Sequence, residues 1–226
     1  MWAVAESDVD PGDVPVSAPP PWPATVRATL WWHRSTEGAK AIGAGNSTIG
    51  ITVGMVVDYL DSPVGPYREI LASPVLRRPG GGFGALPRLA VPFIAVDSAA
   101  SVHGGREHWQ LPKVLATFTG DVLSGAGAHG PEWTVETQSD GHGPSFPIKG
   151  GIGFAQPSDD GIAIAGSKLT GKARYARVTV LSEGPTLSSW LRPGTHHGLQ
   201  IVSGRMETGV GKTISARQPG RTVSGC

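Results

Sequence analysis

Apolar residues recur at every second position along much of this chain. Between Thr25 and His33, Val26, Ala28, Leu30 and Trp32 alternate with Arg27, Thr29, Trp31 and His33, and Ile49, Ile51, Val53, Met55 and Val57 repeat the pattern more cleanly. That is the period of a β-strand, whose successive side chains point to opposite faces. Tyr67 to Ala72 predicts a third strand. Leu86 to Val96 predicts a fourth, which Pro87 and Pro92 restrict to an edge or bulged position. Alternation returns at Trp133 to Gln138, Ile162 to Leu169, Tyr175 to Leu181 and Leu199 to Glu207. With 33 glycines and 20 prolines among 226 residues, the sequence favours many tight turns between short strands over long helices. The expectation is a single α+β domain, mainly β, from Trp22 to about residue 218. An acidic, proline-rich flexible arm (1–21) precedes it and a flexible tail (219–226) follows. Arg77 to Gly82 predicts a turn or mobile loop.

One segment departs from the strand pattern. Ser98 to Trp109 predicts a helix, with Asp97 or Ser98 as N-cap and Ala99, Val102, Arg106 and Trp109 at three- and four-residue spacing. Gly104 and Gly105 interrupt it, each at a cost of about 1 kcal/mol relative to alanine. Pro112 cannot extend the helix, so Lys113 falls just beyond its end on a segment of fixed φ. Most lysines are solvated surface charges. Lys113 differs in its neighbours, which are Trp109, Leu111, Pro112, Val114 and Leu115. At an ordinary pKa of about 10.4, only about one lysine in two thousand is neutral at pH 7, and lowering the value to near 7 takes about 4 to 5 kcal/mol. Full burial can supply that alone. Lys113 is therefore the candidate nucleophile, and a lowered pKa is expected of it.

Charge and composition exclude several classes. A formal net charge of +1 with scattered Lys and Arg gives neither a nucleic-acid footprint nor a polybasic membrane patch. No apolar run approaches the roughly 18 residues of a membrane span. Glu6, Asp8, Asp10 and Asp13 occupy the N-terminus in place of the basic region of a secretory signal. The single cysteine, Cys226, allows no intrachain disulfide and no cysteine-based metal site. A soluble cytoplasmic protein is expected, with no metal and no cofactor. Gly211-Lys212-Thr213 lacks the upstream glycine of a phosphate loop and reads as strand or tail. Gly80 to Gly84 does not fit a dinucleotide fingerprint. His196-His197 is a loop pair with diverging rings, and His103 and His108 are five apart, so neither pair predicts a metal site.

Gly105-Arg106-Glu107, followed by five residues and Pro112-Lys113, resembles the active-site segment of the acetoacetate decarboxylase superfamily, and Tyr67-Arg68-Glu69 upstream resembles its Tyr-x-Glu motif. Order and spacing agree, and the resemblance runs from about Pro20 to Phe118. It implies a cone or barrel of antiparallel strands, often in a homo-oligomer. It also implies a lysine that condenses with a ketone to form a Schiff base, and a glutamate facing the same pocket. Where the resembled decarboxylases carry a second lysine, credited with lowering the pKa of the first, this chain has Val114. Adjacent residues on an extended segment face opposite ways, so desolvation is expected to outweigh that missing cation.

Tyr67 and Glu69, two apart on a strand, share a face. Turned inward, Glu69 would move protons for the imine; turned outward, it would pair with Arg68. A substrate carboxylate calls for a cation. The candidates are Arg106, which could instead pair with Glu107, and Arg27, which lies near the position of the family's N-terminal arginine. Trp109 is either pocket wall or core. The function implied is a cofactor-independent carboxy-lyase for a small β-keto acid. The alternatives are an aldolase or dehydratase using the same imine, and a barrel that binds a small molecule without catalysis.

Overall fold

The computed structural model describes residues 17–42, 48–77, 87–185 and 187–215. The first sixteen residues of the expected arm, Arg78 to Gly84 and the tail lie outside the described residues.

Among the described residues, twelve strands, two α-helices and one 3-10 turn (Leu187–Ser189) follow one another. The strands are β1 (Trp22–Arg34), β2 (Thr48–Asp61), β3 (Tyr67–Leu76), β4 (Arg88–Leu89), β5 (Phe93–Val96), β6 (Lys113–Leu115), β7 (Thr117–Asp121), β8 (Gly125–His129), β9 (Thr134–Ser158), β10 (Gly161–Glu183), β11 (Gly194–Thr208) and β12 (Lys212–Ser215). Helix α1 (Glu37–Ile42) follows β1, and α2 (Ala99–Trp109) lies between β5 and β6. Among the described residues no helix is long and apolar enough to cross a membrane.

The twelve strands join one sheet: ten follow the order β12-β10-β11-β1-β2-β3-β4-β9-β8-β7, β5 pairs with β3 and β6, and β9 also pairs with β10, so the sheet closes on itself. The expected barrel is therefore present. Its pairings are antiparallel with two exceptions: β4 meets β9 in parallel at Leu89 and Phe154, and β5 runs parallel to β6.

Two expectations are corrected, and one element is new. The strand expected over Leu86 to Val96 is two short strands, β4 and β5. Between them Ala90 and Val91 donate backbone N–H to Ser73 Oγ, and Val91 takes φ 35° ahead of Pro92. The separate strands expected at Ile162 to Leu169 and Tyr175 to Leu181 are one, β10, because β9 and β11 pair along both stretches. Helix α1 was not anticipated. It is only six residues long, with Ala39 N–H bonded to Thr36 Oγ1.

The two faces of the strands divide the core. Val26, Ala28, Met55, Val57, Tyr59, Tyr67 and Leu71 join Trp22, Ile94, Trp109 and Phe154 inside the barrel. The alternate residues Trp31, Val56, Ile70 and Ala72 pack outside it against Phe118, Ala128, Val178 and Leu191. Burial on both faces gives β2 and β3 their continuous buried runs.

Candidate active site

Helix α2 delivers the lysine. Ser98 caps its start, accepting from Ser101 N–H, and Gln110 ends it at φ 56°. Gln110 N–H bonds to Arg106 O and Leu111 N–H to Gly105 O, which satisfies two carbonyls of the last turn. Pro112 then sits at the centre of a tight turn closed by Lys113 N–H to Leu111 O (2.8 Å). Arg106 Nε donates to Lys113 O at 2.9 Å. Beyond the turn, β6 pairs with β5, placing Lys113 opposite Ile94.

The register then explains what the lysine meets. Ile94 lies opposite Leu71, Val96 opposite Glu69, Glu69 opposite Val57, and Tyr67 opposite Tyr59. Residues paired across a sheet share a face, so Lys113, Glu69, Tyr67 and Tyr59 all point into the barrel. Lys113 is 3% exposed and Glu69 4%. Lys113 Nζ lies 2.7 Å from Glu69 Oε2 and 2.9 Å from Ser101 Oγ. Tyr59 Oη donates to Glu69 Oε1 at 3.2 Å. The Tyr59 and Tyr67 rings stack at 4.2 Å, and the ammonium stands 5.3 Å from the Tyr67 ring centre.

Gly105 makes room for this arrangement. A Cβ there would stand 2.5 Å from Lys113 Cδ, and one on Gly104 would stand 2.6 Å from the Trp22 indole. The two glycines that interrupt the helical pattern are the places where α2 approaches the lysine stem and the core.

The expected lowering of the lysine pKa is corrected. Desolvation is the largest influence on Lys113 and lowers its pKa, but the Glu69 carboxylate and Tyr67 raise it and together prevail. The residue is a buried, ion-paired ammonium, held above its ordinary value. Burial and the neighbouring Glu69 charge push the Tyr59 hydroxyl well above its usual range, so it is a proton donor to that carboxylate. Val114 turns away from the amine and packs against the outer cluster, so it does not wall the lysine.

The other candidate residues are distributed as follows. Tyr67 and Trp109 line the lysine's cavity, and Trp109 is also core, edge-on to Trp22 at 4.9 Å with Nε1 donating to Gly209 O. Arg68 is paired with Asp97 (3.1 Å) and not with Glu69. Arg106 holds the Lys113 carbonyl, while Glu107 faces His103 and His108. Arg27 lies outside the cavity. Its neighbours Val26 and Ala28 take the inner face of β1, so it points outward to Asp58 (2.6 Å) and Asp121 (3.3 Å). Neither arginine lines the cavity.

That cavity has a volume of about 80 Å³ and lies inside the barrel. Its walls are mainly apolar, including Trp22, Met55, Leu71, Leu89, Phe154 and Met206. It is small beside the roughly 300 to 1,000 Å³ of sites for drug-sized ligands. Two larger hollows elsewhere on the surface are open and do not include the lysine. Sequence reasoning missed Tyr59 and Ser101. Tyr59 continues the Met55, Val57 alternation by one step. Ser101 lies four residues before Gly105, on the same helical face.

No protein-family model matches the chain, and no curated protein matches it. Solved structures do. An acetoacetate decarboxylase is similar at TM-score 0.68 with 12% identity, covering 93% of this chain and 96% of that one. Acetoacetate decarboxylase from Legionella pneumophila gives 0.64 and 14%, covering 95% and 98%. The enduracididine biosynthesis enzyme MppR complexed with pyruvate gives 0.62 and 12%, covering 89% and 93%. The closed barrel of this chain has the acetoacetate decarboxylase-like fold.

Proposed function

We propose that this chain is a cofactor-independent Schiff-base enzyme that decarboxylates a small β-keto acid. One observation carries the reading: a buried lysine amine at the wall of a largely apolar cavity, 2.7 Å from a buried carboxylate able to take its proton. Glu69 accepts a proton from Nζ, and the freed amine adds to the ketone carbon. Glu69 returns the proton as water leaves, forming an iminium. The bond to the carboxylate carbon then breaks. Its electron pair moves into the iminium to give an enamine, and carbon dioxide departs. Protonation of the enamine carbon and hydrolysis release the ketone and restore the lysine. Tyr59, bonded to Glu69, steadies the carboxylate through these transfers.

Electrostatics favour loss of the carboxylate. Among the described residues no arginine lines the cavity, and the one cation there, Lys113, already faces Glu69. A substrate carboxylate there adds a second negative charge in an apolar site, and leaving as neutral carbon dioxide removes it. The test is carbon dioxide release from acetoacetate by the wild type and by Lys113→Ala. Release that depends on Lys113 supports the reading; release retained by Lys113→Ala contradicts it. A second reading, aldol or dehydration chemistry through the same imine, is favoured by Val114 at the place of the resembled decarboxylases' second lysine. It predicts a Lys113 adduct without carbon dioxide.

A further inference from the structure

The cavity has a second polar feature, far from the lysine in sequence. Ser167 of β10 stands opposite Thr208 of β11 on one side and Ile152 of β9 on the other, and Thr208 stands opposite Trp22 of β1. All four residues of this row line the cavity. Ser167 Oγ and Thr208 Oγ1 are 2.7 Å apart, and both residues are half-buried. The bond between them uses one of their two hydroxyl protons, which leaves one donor and spare lone pairs. The other polar lining, Tyr59, Tyr67, Glu69 and Lys113, is gathered around the amine. Among the described residues the rest of the wall is apolar, and its two indole N–H groups are engaged by Ala18 O and Gly209 O. A substrate oxygen remote from the reacting ketone therefore meets either hydrocarbon or this hydroxyl pair.

We infer that Ser167 and Thr208 form a second recognition point, which takes a neutral oxygen (a hydroxyl, ether or ketone) on the acyl side of the substrate. The inference rests on the reading that Lys113 forms an imine with the ketone. The pair is uncharged and has a single proton to offer, which suits a neutral oxygen. A second carboxylate would bring more negative charge into a cavity whose one cation among the described residues is already paired with Glu69. The substrate class is thus a short β-keto acid whose acyl chain carries a neutral oxygen.

The test compares 4-hydroxy-2-butanone, 5-hydroxy-2-pentanone and 6-hydroxy-2-hexanone with the corresponding plain ketones, and includes levulinate as a carboxylate probe. Borohydride trapping at Lys113, read by peptide mass spectrometry, gives a half-saturating concentration for each. At least one hydroxyketone is expected to saturate at a concentration about three- to tenfold lower than its parent. In Ser167→Ala and Thr208→Val that ratio is expected to fall towards one, and levulinate is expected to show no advantage. No hydroxyketone advantage in the wild type, an advantage that persists in both variants, or a preference for levulinate would overturn the inference. If no ketone labels Lys113, the imine reading itself fails. The subsite is then judged by the same ratios, measured by quenching of tryptophan fluorescence, since Trp22 and Trp109 line the cavity.

Discussion

Gly105 and Lys113 are packed so closely that a Cβ on the glycine would stand 2.5 Å from Cδ of the lysine. The stem of the lysine lies across the bare backbone of α2, and this contact aims Nζ at Glu69. Gly105→Ala gains helix propensity of up to about 1 kcal/mol but forces the stem aside, an overpacking cost of about 1 to 3 kcal/mol. The variant is expected to fold, with a lower urea midpoint, and to label at Lys113 at least about tenfold more slowly in borohydride trapping. Unchanged labelling would show that the stem has room to move.

Glu69→Gln separates burial from ion pairing. In the wild type the lysine is held above its ordinary value, so the pair's stabilisation is fully present below about pH 10.4, the unfolded value. It is lost as pH rises through the folded value. With the carboxylate gone, desolvation, the largest influence, is opposed by Tyr67 alone, and the folded pKa is expected to drop below the unfolded one. Stability of the variant then rises with pH up to about 10.4, where the wild type is flat. Urea unfolding at pH 7, 8, 9 and 10 reads both slopes. At pH 7 the variant is expected to be about 3 to 5 kcal/mol less stable, and a flat variant profile would show that Glu69 is not what holds the proton on Lys113.

Tyr59→Phe removes one hydrogen bond from the Glu69 carboxylate and leaves the ring stack in place. The expected loss of stability is about 1 kcal/mol. Turnover of acetoacetate is expected to fall about tenfold, while trapping of Lys113 persists. Loss of trapping together with turnover would instead make Tyr59 part of imine formation.

These residues show how much the sequence disclosed. Period-two alternation placed Tyr67 and Glu69 on one face, and the Pro112 stop placed Lys113 just beyond the helix. Tyr59 was equally legible, since it continues the Met55, Val57 series. The orientation of Arg27 could have been read from Val26 and Ala28, whose inward turn sends it outward. Other features depend on partners distant in the chain. Gly104 and Gly105 carry a propensity cost in a lone helix, and only the lysine stem and Trp22 packed against them explain why they are there. Nothing local joins the two halves of β10; β9 and β11 do so from either side. Burial lowers the pKa of Lys113, and Glu69 and Tyr67 raise it by more; both come from a distant strand, so no neighbour in sequence reports their approach.

Val114→Lys restores the residue that the resembled decarboxylases carry, on a side chain that here packs against the outer cluster. The expected outcome is a loss of about 1 to 3 kcal/mol from placing a charge at that half-buried position, with no gain in carbon dioxide release. A strong gain would mean that a cation at 114 reaches the amine despite the strand geometry.

The central claim is that Lys113 forms an imine with a small keto acid. Borohydride trapping with acetoacetate and with pyruvate, followed by peptide mass spectrometry, tests it most directly. A reduced adduct on Lys113 of the wild type, with none elsewhere and none in Lys113→Ala, is the predicted result. An unmodified Lys113 with both keto acids, or an adduct that survives in Lys113→Ala, would contradict the account.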